Sequence, residues 1–326
     1  GHVGIPRRDM GMLGVSDYRV TTARDDEGHW VALGQMAFGQ FPPTRQAPPL
    51  PGREVYLSRL EAALEQTRER GASRALVVGW RGVGRSALLA RLAHGRPHVA
   101  IRFSVLGRSL PGHGLSRLVR LALGLHDAAG PERVRAILSA RPGLDTPVMR
   151  ALLLDEPTQE PVTARGLATE VVAVLEGVAG GEPLLVTLDD AHHLDALSRQ
   201  VLERLAEVAG PRPWLLVASA LSGAPKPLLF EGAARVELRP LTPEVAAGVL
   251  ADWGVPAPKR PAMVEAAAGN PLTLRLMAES TDTASTQTGA LLQRELLIQR
   301  LYRQSQRDAE DAWLSACFGV DGPDVL

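Results

Sequence analysis

Residues 79–86 read GWRGVGRS, a match to the spacing G-x-x-x-x-G-[basic]-[Ser/Thr] between an apolar run (RALVVGW) and an amphipathic one (SALLARLAHG). Glycines at 79, 82 and 84 let a backbone turn its N–H groups inward around phosphate oxygens, and the helix that follows adds its positive N-terminal end. Gly79, Arg81, Gly82, Val83, Gly84, Arg85, Ser86 and Ala87 therefore form a candidate phosphate site. The Ser86 hydroxyl would face a magnesium ion bridging the phosphates. Arg85 stands where this spacing calls for lysine. Arginine keeps the charge but is planar and wider, so the exchange alters the geometry of phosphate contact. Binding is expected to survive and hydrolysis to be slow. The bland alternative is a glycine-rich strand-to-helix turn with no ligand.

A second chemical feature lies downstream. The apolar run Leu184–Leu188 ends in Asp189-Asp190. A carboxylate at the carboxyl end of a parallel strand faces the ligand crevice of such a sheet. Asp189 is the candidate to hold magnesium, through water, and Asp190 the candidate to orient or deprotonate an attacking water. The alternative is two acids capping the next helix. His192, His193 and Asp195 follow, at a spacing that matches no zinc signature. They are expected to shape the turn and sense a γ-phosphate.

These residues need a frame. Five short apolar runs read as buried parallel strands: RALVVGW, HVAIRFSV, PLLVTLDD, RPWLLVASAL and ARVELRPL. Between them lie helical patterns, beginning with REVYLSRLEAALEQTRERG, which sets Leu57, Leu60, Ala63 and Leu64 on one face. The alternation predicts an α/β fold, a P-loop NTPase parallel sheet flanked by helices over 51–241. After Leu241 the strand signals stop. TPEVAAGVLADWG opens with Thr242 as N-cap and Pro243 in the first turn, and PAMVEAAAG and PLTLRLMAES continue a small all-α lid over 242–305. Residues 306–326 read as the start of a further helical, winged-helix-like segment, cut short. Residues 1–50 stand apart as a leader: DYRVTTARDDEGHWVALG alternates like a β-hairpin, and FPPTRQAPPLPG reads as a Pro-rich linker.

Composition narrows the classes. With 45% hydrophobic and only 4% aromatic residues, helices on a parallel sheet suit the chain better than an aromatic-rich β-sandwich. Thirty-six basic residues balance 36 acidic ones, so no whole-chain field draws in DNA or an anionic membrane. A single cysteine, Cys317, excludes a disulfide framework and fits a reducing, cytoplasmic setting. No apolar run is long enough to span a bilayer.

The ordered set of motifs resembles a known family. DDAHHLDALSRQVLERL is similar to the strand-end segment of the ATPase domains in large LuxR-type bacterial regulators, which belong to the STAND branch of AAA+-like P-loop NTPases, as does the maltose regulator's domain. His193 stands where that family commonly has tryptophan. Gly52-Arg53-Glu54 resembles its opening Gly-Arg-Glu, which implies that Arg53 lies by the adenine. VELRPLTPEVAAGVL resembles its entry to the lid, and AAAGNPLTLRLMAE its Gly-Asn-Pro segment, which implies that Pro271 packs near the base. The likeness runs from about residue 52 to residue 305. Two departures stand out: Arg85, and Ala220-Leu221 where relatives often carry an arginine after the strand.

The resemblance implies ATP or ADP as ligand with Mg2+, and a role as a regulatory switch whose partners are other protein domains or subunits, with nucleotide-dependent assembly. It also implies a longer regulator, with sensor and DNA-reading regions beyond this segment and no DNA contact from the segment itself. The competing expectations are a pseudo-NTPase scaffold for protein contacts and an active AAA+ ATPase.

Overall fold

The computed structural model describes residues 3–6, 18–25, 28–35 and 50–282, except 126–128, 160–161 and 225–227. Residues 41–49 of the expected Pro-rich linker (41–52), and the expected helical segments from 283 onward, lie outside the described residues.

Near the amino terminus β2 (Tyr18–Asp25) and β3 (Gly28–Gln35) pair antiparallel with Asp25 opposite Gly28, the hairpin expected from the alternation. A third strand, β1 (Val3–Pro6), pairs with β3, placing Ile5 opposite Val31. Four residues are too few to show a period, so nothing in the residue pattern announces this strand.

The main sheet comprises β4 (Ser73–Gly79), β5 (His98–Arg102), β6 (Leu184–Asp189), β7 (Trp214–Leu221) and β8 (Ala234–Leu238), all parallel, in the order β5-β6-β7-β4-β8. Its helices are α1 (Glu54–Arg70), α2 (Arg85–Ala93), α3 (His113–Ala122), α4 (Pro131–Ser139), α5 (Pro147–Leu154), α6 (Ala164–Ala179) and α7 (Ala196–Ala209). Successive strand side chains point to opposite faces. Val77, Leu185, Leu215 and Val217 accordingly pack with Leu60 and Leu64 of α1 and Leu88, Leu89 and Leu92 of α2. Leu76, Val186, Leu188 and Leu216 join the larger opposite core with α3, α6 and α7. Both faces of the central strands are covered, which is why β4, β6 and β7 read as continuous apolar runs, whereas the edge strands β5 and β8 alternate. On α1 the expected face is the buried one, with Leu57 and Ala63 partly covered at its margin.

A third apolar cluster belongs to α8 (Pro243–Asp252), α9 (Arg260–Ala267) and α10 (Pro271–Asp282), where Ala246, Leu250, Met263, Ala267 and Leu274 meet. The Thr242 hydroxyl accepts the Val245 amide and Pro243 lies in the first turn, as a proline does where no amide hydrogen bond is needed. Among the described residues no helix is long and apolar enough to cross a membrane.

Candidate functional site

The loop between β4 and α2 is built as a cradle. Gly82 (φ +75°) and Gly84 (φ +104°) hold left-handed conformations that other residues rarely adopt. Val83 between them is buried and anchors the loop to the α1–α2 core. Gly84 opens α2 with no side-chain cap of its own, and the first turn of a helix presents amides that an anion can satisfy. Arg53 is 3% exposed, and its guanidinium donates to the Val83 carbonyl at 3.0 Å and the Gly52 carbonyl at 3.3 Å. Burial lowers its pKa against the opposing influence of Tyr56 and Glu54. The sequence placed Arg53 in the site; the structure fixes it directly to the loop backbone.

Strand order determines what meets the loop. Because β7 lies between β4 and β6, residues at its carboxyl end separate the loop from the two acids. Ser219 bridges them, its hydroxyl donating to Asp189 Oδ1 at 2.5 Å and accepting the Asp190 amide at 2.9 Å. Ser86 also hydrogen-bonds Asp189, so the two residues expected around magnesium are neighbours. Arg102, the last residue of β5, pairs in register with Asp189, and its guanidinium donates to Oδ2 at 2.9 Å. Burial opposes ionisation of Asp189, but the charge of Arg102 and the hydrogen bonds from Ser219, Ser86 and Arg102 together hold its carboxyl below the usual range.

Arg85 bridges the same strand ends. Its guanidinium donates to the Gly79 carbonyl at 2.5 Å, the Ala220 carbonyl at 3.2 Å and Asp190 Oδ1 at 3.0 Å. The Ala220 position, where the resemblance leads one to look for an arginine, therefore receives a guanidinium in space from the loop. Asp190 itself is left-handed (φ 53°) and opens the turn Ala191–His193. Burial, and then the charge of Asp189, push its pKa up against Arg85 and Arg102.

Magnesium, which the fold family implies, prefers oxygen ligands in strict octahedral geometry. The Ser86 hydroxyl and Asp189 carboxylate supply the right atom types. The carboxylate, however, is fully engaged: Oδ1 accepts from Ser219 and the Asp190 amide, and Oδ2 from Arg102. In this arrangement the residues do not fit a cation. Among the described residues no group of three His, Cys, Asp or Glu side chains is placed to hold a metal ion.

The His192 and His193 rings lie 4.0 Å apart between centroids, tilted by 44°, and His192 Nδ1 is buried without a hydrogen-bond partner. Burial, then the neighbouring His193 and Arg85, lowers the His192 pKa to about 3; burial, then Arg108, lowers His193 to about 4. The fold thus favours neutral rings, so the unfolded chain binds more protons from pH 6.5 downward and stability falls with acidification. Each such proton costs about 1.36 kcal/mol per pH unit. Stability at pH 5 is expected to lie roughly 4 kcal/mol below its pH 7 value, with His192→Gln removing about half of the loss. Denaturant unfolding at the two pH values checks this, and equal midpoints would refute it. Asp195 does not join the histidines. It caps α7 and accepts from four donors, including the amides of Gly112 and Gly114.

The α8–α10 unit reaches the cradle. Asn270 Nδ2 donates to the Arg81 carbonyl at 2.8 Å, and the Leu272 amide donates to the Gly82 carbonyl at 3.2 Å. Asn270 Oδ1 accepts the amides of Leu272 and Thr273, which caps α10, and Pro271 lies between the two contacting residues. Sequence reasoning pointed to Pro271 and passed over Asn270; it also missed Arg102 and Ser219. An asparagine directly before a helix-opening proline was a usable signal for a cap. Nothing local marked the other two, whose roles depend on strand register.

The comparisons with known proteins agree with this architecture. No curated protein matches the chain in sequence. Among solved structures it is similar to a Walker-type ATPase of Pyrococcus abyssi, at TM-score 0.51 and 17% identity, covering 83% of this chain and 81% of that one. A STAND protein with a tetratricopeptide repeat sensor from Pyrococcus horikoshii aligns at TM-score 0.39 and 15% identity, over 74% of this chain and 32% of that one. The first likeness shows the fold; the second is too loose to add to it. Residues 49–217, from the turn before α1 into β7 and so across the loop and both acids, match the AAA ATPase domain. That span is more than half of the 326 residues, and the chain belongs to this family of ATPase domains.

Proposed function

We propose that the chain is an ATP/ADP-binding switch module of STAND type, with weak or absent hydrolysis, working inside a bacterial signalling or transcriptional regulator of the LuxR-like class in the cytoplasm. Residues 51–241 form the nucleotide domain, and 242–305 the lid that reports its state to other domains or subunits. The observation that carries this reading is the clasp between α10 and the loop, where Asn270 and Leu272 are bonded to the Arg81 and Gly82 carbonyls. A loop that changes shape around phosphate must strain or release those bonds. Two nucleotides can bias two states only through such differential contacts. In this reading the amides of residues 82–87 hold the phosphates, and Arg53 and Pro271 lie towards the base.

Arg85 supports slow turnover. While its guanidinium is bonded to Asp190 and to two carbonyls, it presents no charge to a γ-phosphate, and Asp190 is not free to take a proton from water. Calorimetric titration and melting with ADP and ATP test the reading. At roughly 100 times its Kd, ADP is expected to stabilise the fold by about 2.7 kcal/mol. No binding of either nucleotide would end it in favour of a protein-contact scaffold. Phosphate release by the wild type is expected to stay near the buffer blank and to rise in Arg85→Lys. Rapid release by both would show an active ATPase instead.

A further inference from the structure

We infer that the site holds nucleotide without a divalent cation, because Arg102 and Arg85 already pair with the two carboxylates that would hold one. The inference rests on the proposed nucleotide site and specifies how that site balances charge.

Four observations converge. Both Asp189 oxygens are engaged: Oδ1 by the Ser219 hydroxyl and the Asp190 amide, Oδ2 by Arg102 through Nε and Nη2, each at 2.9 Å. Asp190 is paired with Arg85 at 3.0 Å, and Arg102 lies a further 3.9 Å from its second oxygen. Two carboxylates thus face two guanidinium groups, and the cluster is neutral before any ligand arrives. Finally, Arg102 is placed by backbone register: as the last residue of β5 it pairs with Asp189, the last residue of β6, and its carbonyl accepts Arg117 Nη1 at 3.1 Å.

An entering magnesium ion would meet this arrangement as a competitor. To take Asp189 it must displace a guanidinium held by a charge-assisted, two-point contact and shed some of its own water, which it does reluctantly. A diphosphate faces no such barrier, because Gly84 places no capping side chain over the start of α2 and the charge of the two acids is already balanced by fixed cations. Arg102 is itself 38% exposed, so the pairing with Asp189 rather than burial keeps it in place. Removing that side chain should return Asp189 to solvent and to metal.

The test is calorimetric titration of the full chain with ADP, once in magnesium and once in excess EDTA. For the wild type the two Kd values are expected to agree within about threefold. Arg102→Gln is expected to create a magnesium requirement, losing about tenfold or more in affinity in EDTA, and Arg102→Lys to restore independence. A wild-type affinity that falls tenfold or more in EDTA would overturn the inference and leave the nucleotide site standing. Absence of ADP binding in both buffers would remove the nucleotide site and this inference together. The wild-type comparison needs no variant, so misfolding of a variant cannot obscure it.

Discussion

Gly82→Ala is expected to weaken ADP binding by about thirtyfold, or about 2 kcal/mol, and to release the lid from the phosphate loop. Two costs combine. The backbone at 82 has φ +75°, where a residue with a Cβ is disfavoured by about 1–2 kcal/mol. The added carbon would also come within 2.6 Å of Asn270 Oδ1 and 2.8 Å of Leu272 Cβ. The Asn270 carboxamide can rotate away, but it then gives up the Arg81 carbonyl and uncaps α10. Leu272 Cβ is fixed to the helix backbone, so the helix itself must move. Gly95→Ala is the matched control: it too has a positive φ, +72°, but its Cβ would meet nothing within 4 Å. Strain alone should cost stability there and leave ADP affinity unchanged. Calorimetry on both variants separates clash from strain, and wild-type affinity in Gly82→Ala would dismiss the clasp as a coupling element.

Asp195→Ala is expected to cost about 4 kcal/mol of stability, lowering Tm by about 10 °C, while ADP affinity of the folded protein stays within about twofold. The carboxylate is 3% exposed and accepts the amides of Gly112 (2.8 Å), Gly114 (3.1 Å) and Ser198 (2.9 Å), and the Ser198 hydroxyl at 2.6 Å. Ser198 in turn accepts the Leu115 amide at 2.8 Å, so one side chain ties the start of α3 to the start of α7. Alanine leaves several buried donors unsatisfied, each worth about 1–3 kcal/mol, and removes a helix cap. Relaxation recovers part of the sum. Asp195→Asn keeps acceptor oxygen but turns an amide group toward a donor, and should fall between the two. The sequence pattern has Asp195, with His192 and His193, shape the turn and sense a γ-phosphate; loss of ATP affinity in Asp195→Ala, with ADP affinity and Tm retained, would favour that sensing role.

The glycine-rich loop, the acidic strand end and the helices α8–α10 were legible in the sequence because each is a local pattern. Val83 between two left-handed glycines, three central strands apolar on both faces, and a Thr-Pro helix start are dictated by backbone conformation and burial within a few residues. So is the fate of Ser86, since the helix that follows the loop carries its hydroxyl to a fixed place. What neighbours do to one another across the sheet was not legible. Arg102 and Asp189 are 87 positions apart and Arg85 and Asp190 are 105 apart, so only the strand order could reveal that each acid has its own guanidinium. The same holds for Asn270, 189 positions from the carbonyl it grips.

By itself, then, the chain's residue order determined a parallel α/β sheet with a glycine-rich turn after its first strand, and identified the departure at Arg85. Only the tertiary structure decided what that departure does, because a long charged side chain takes its partner from whichever strand end lies beside it. Periodicity and turn chemistry act over a few bonds, whereas Coulomb pairing and hydrogen bonding act through space.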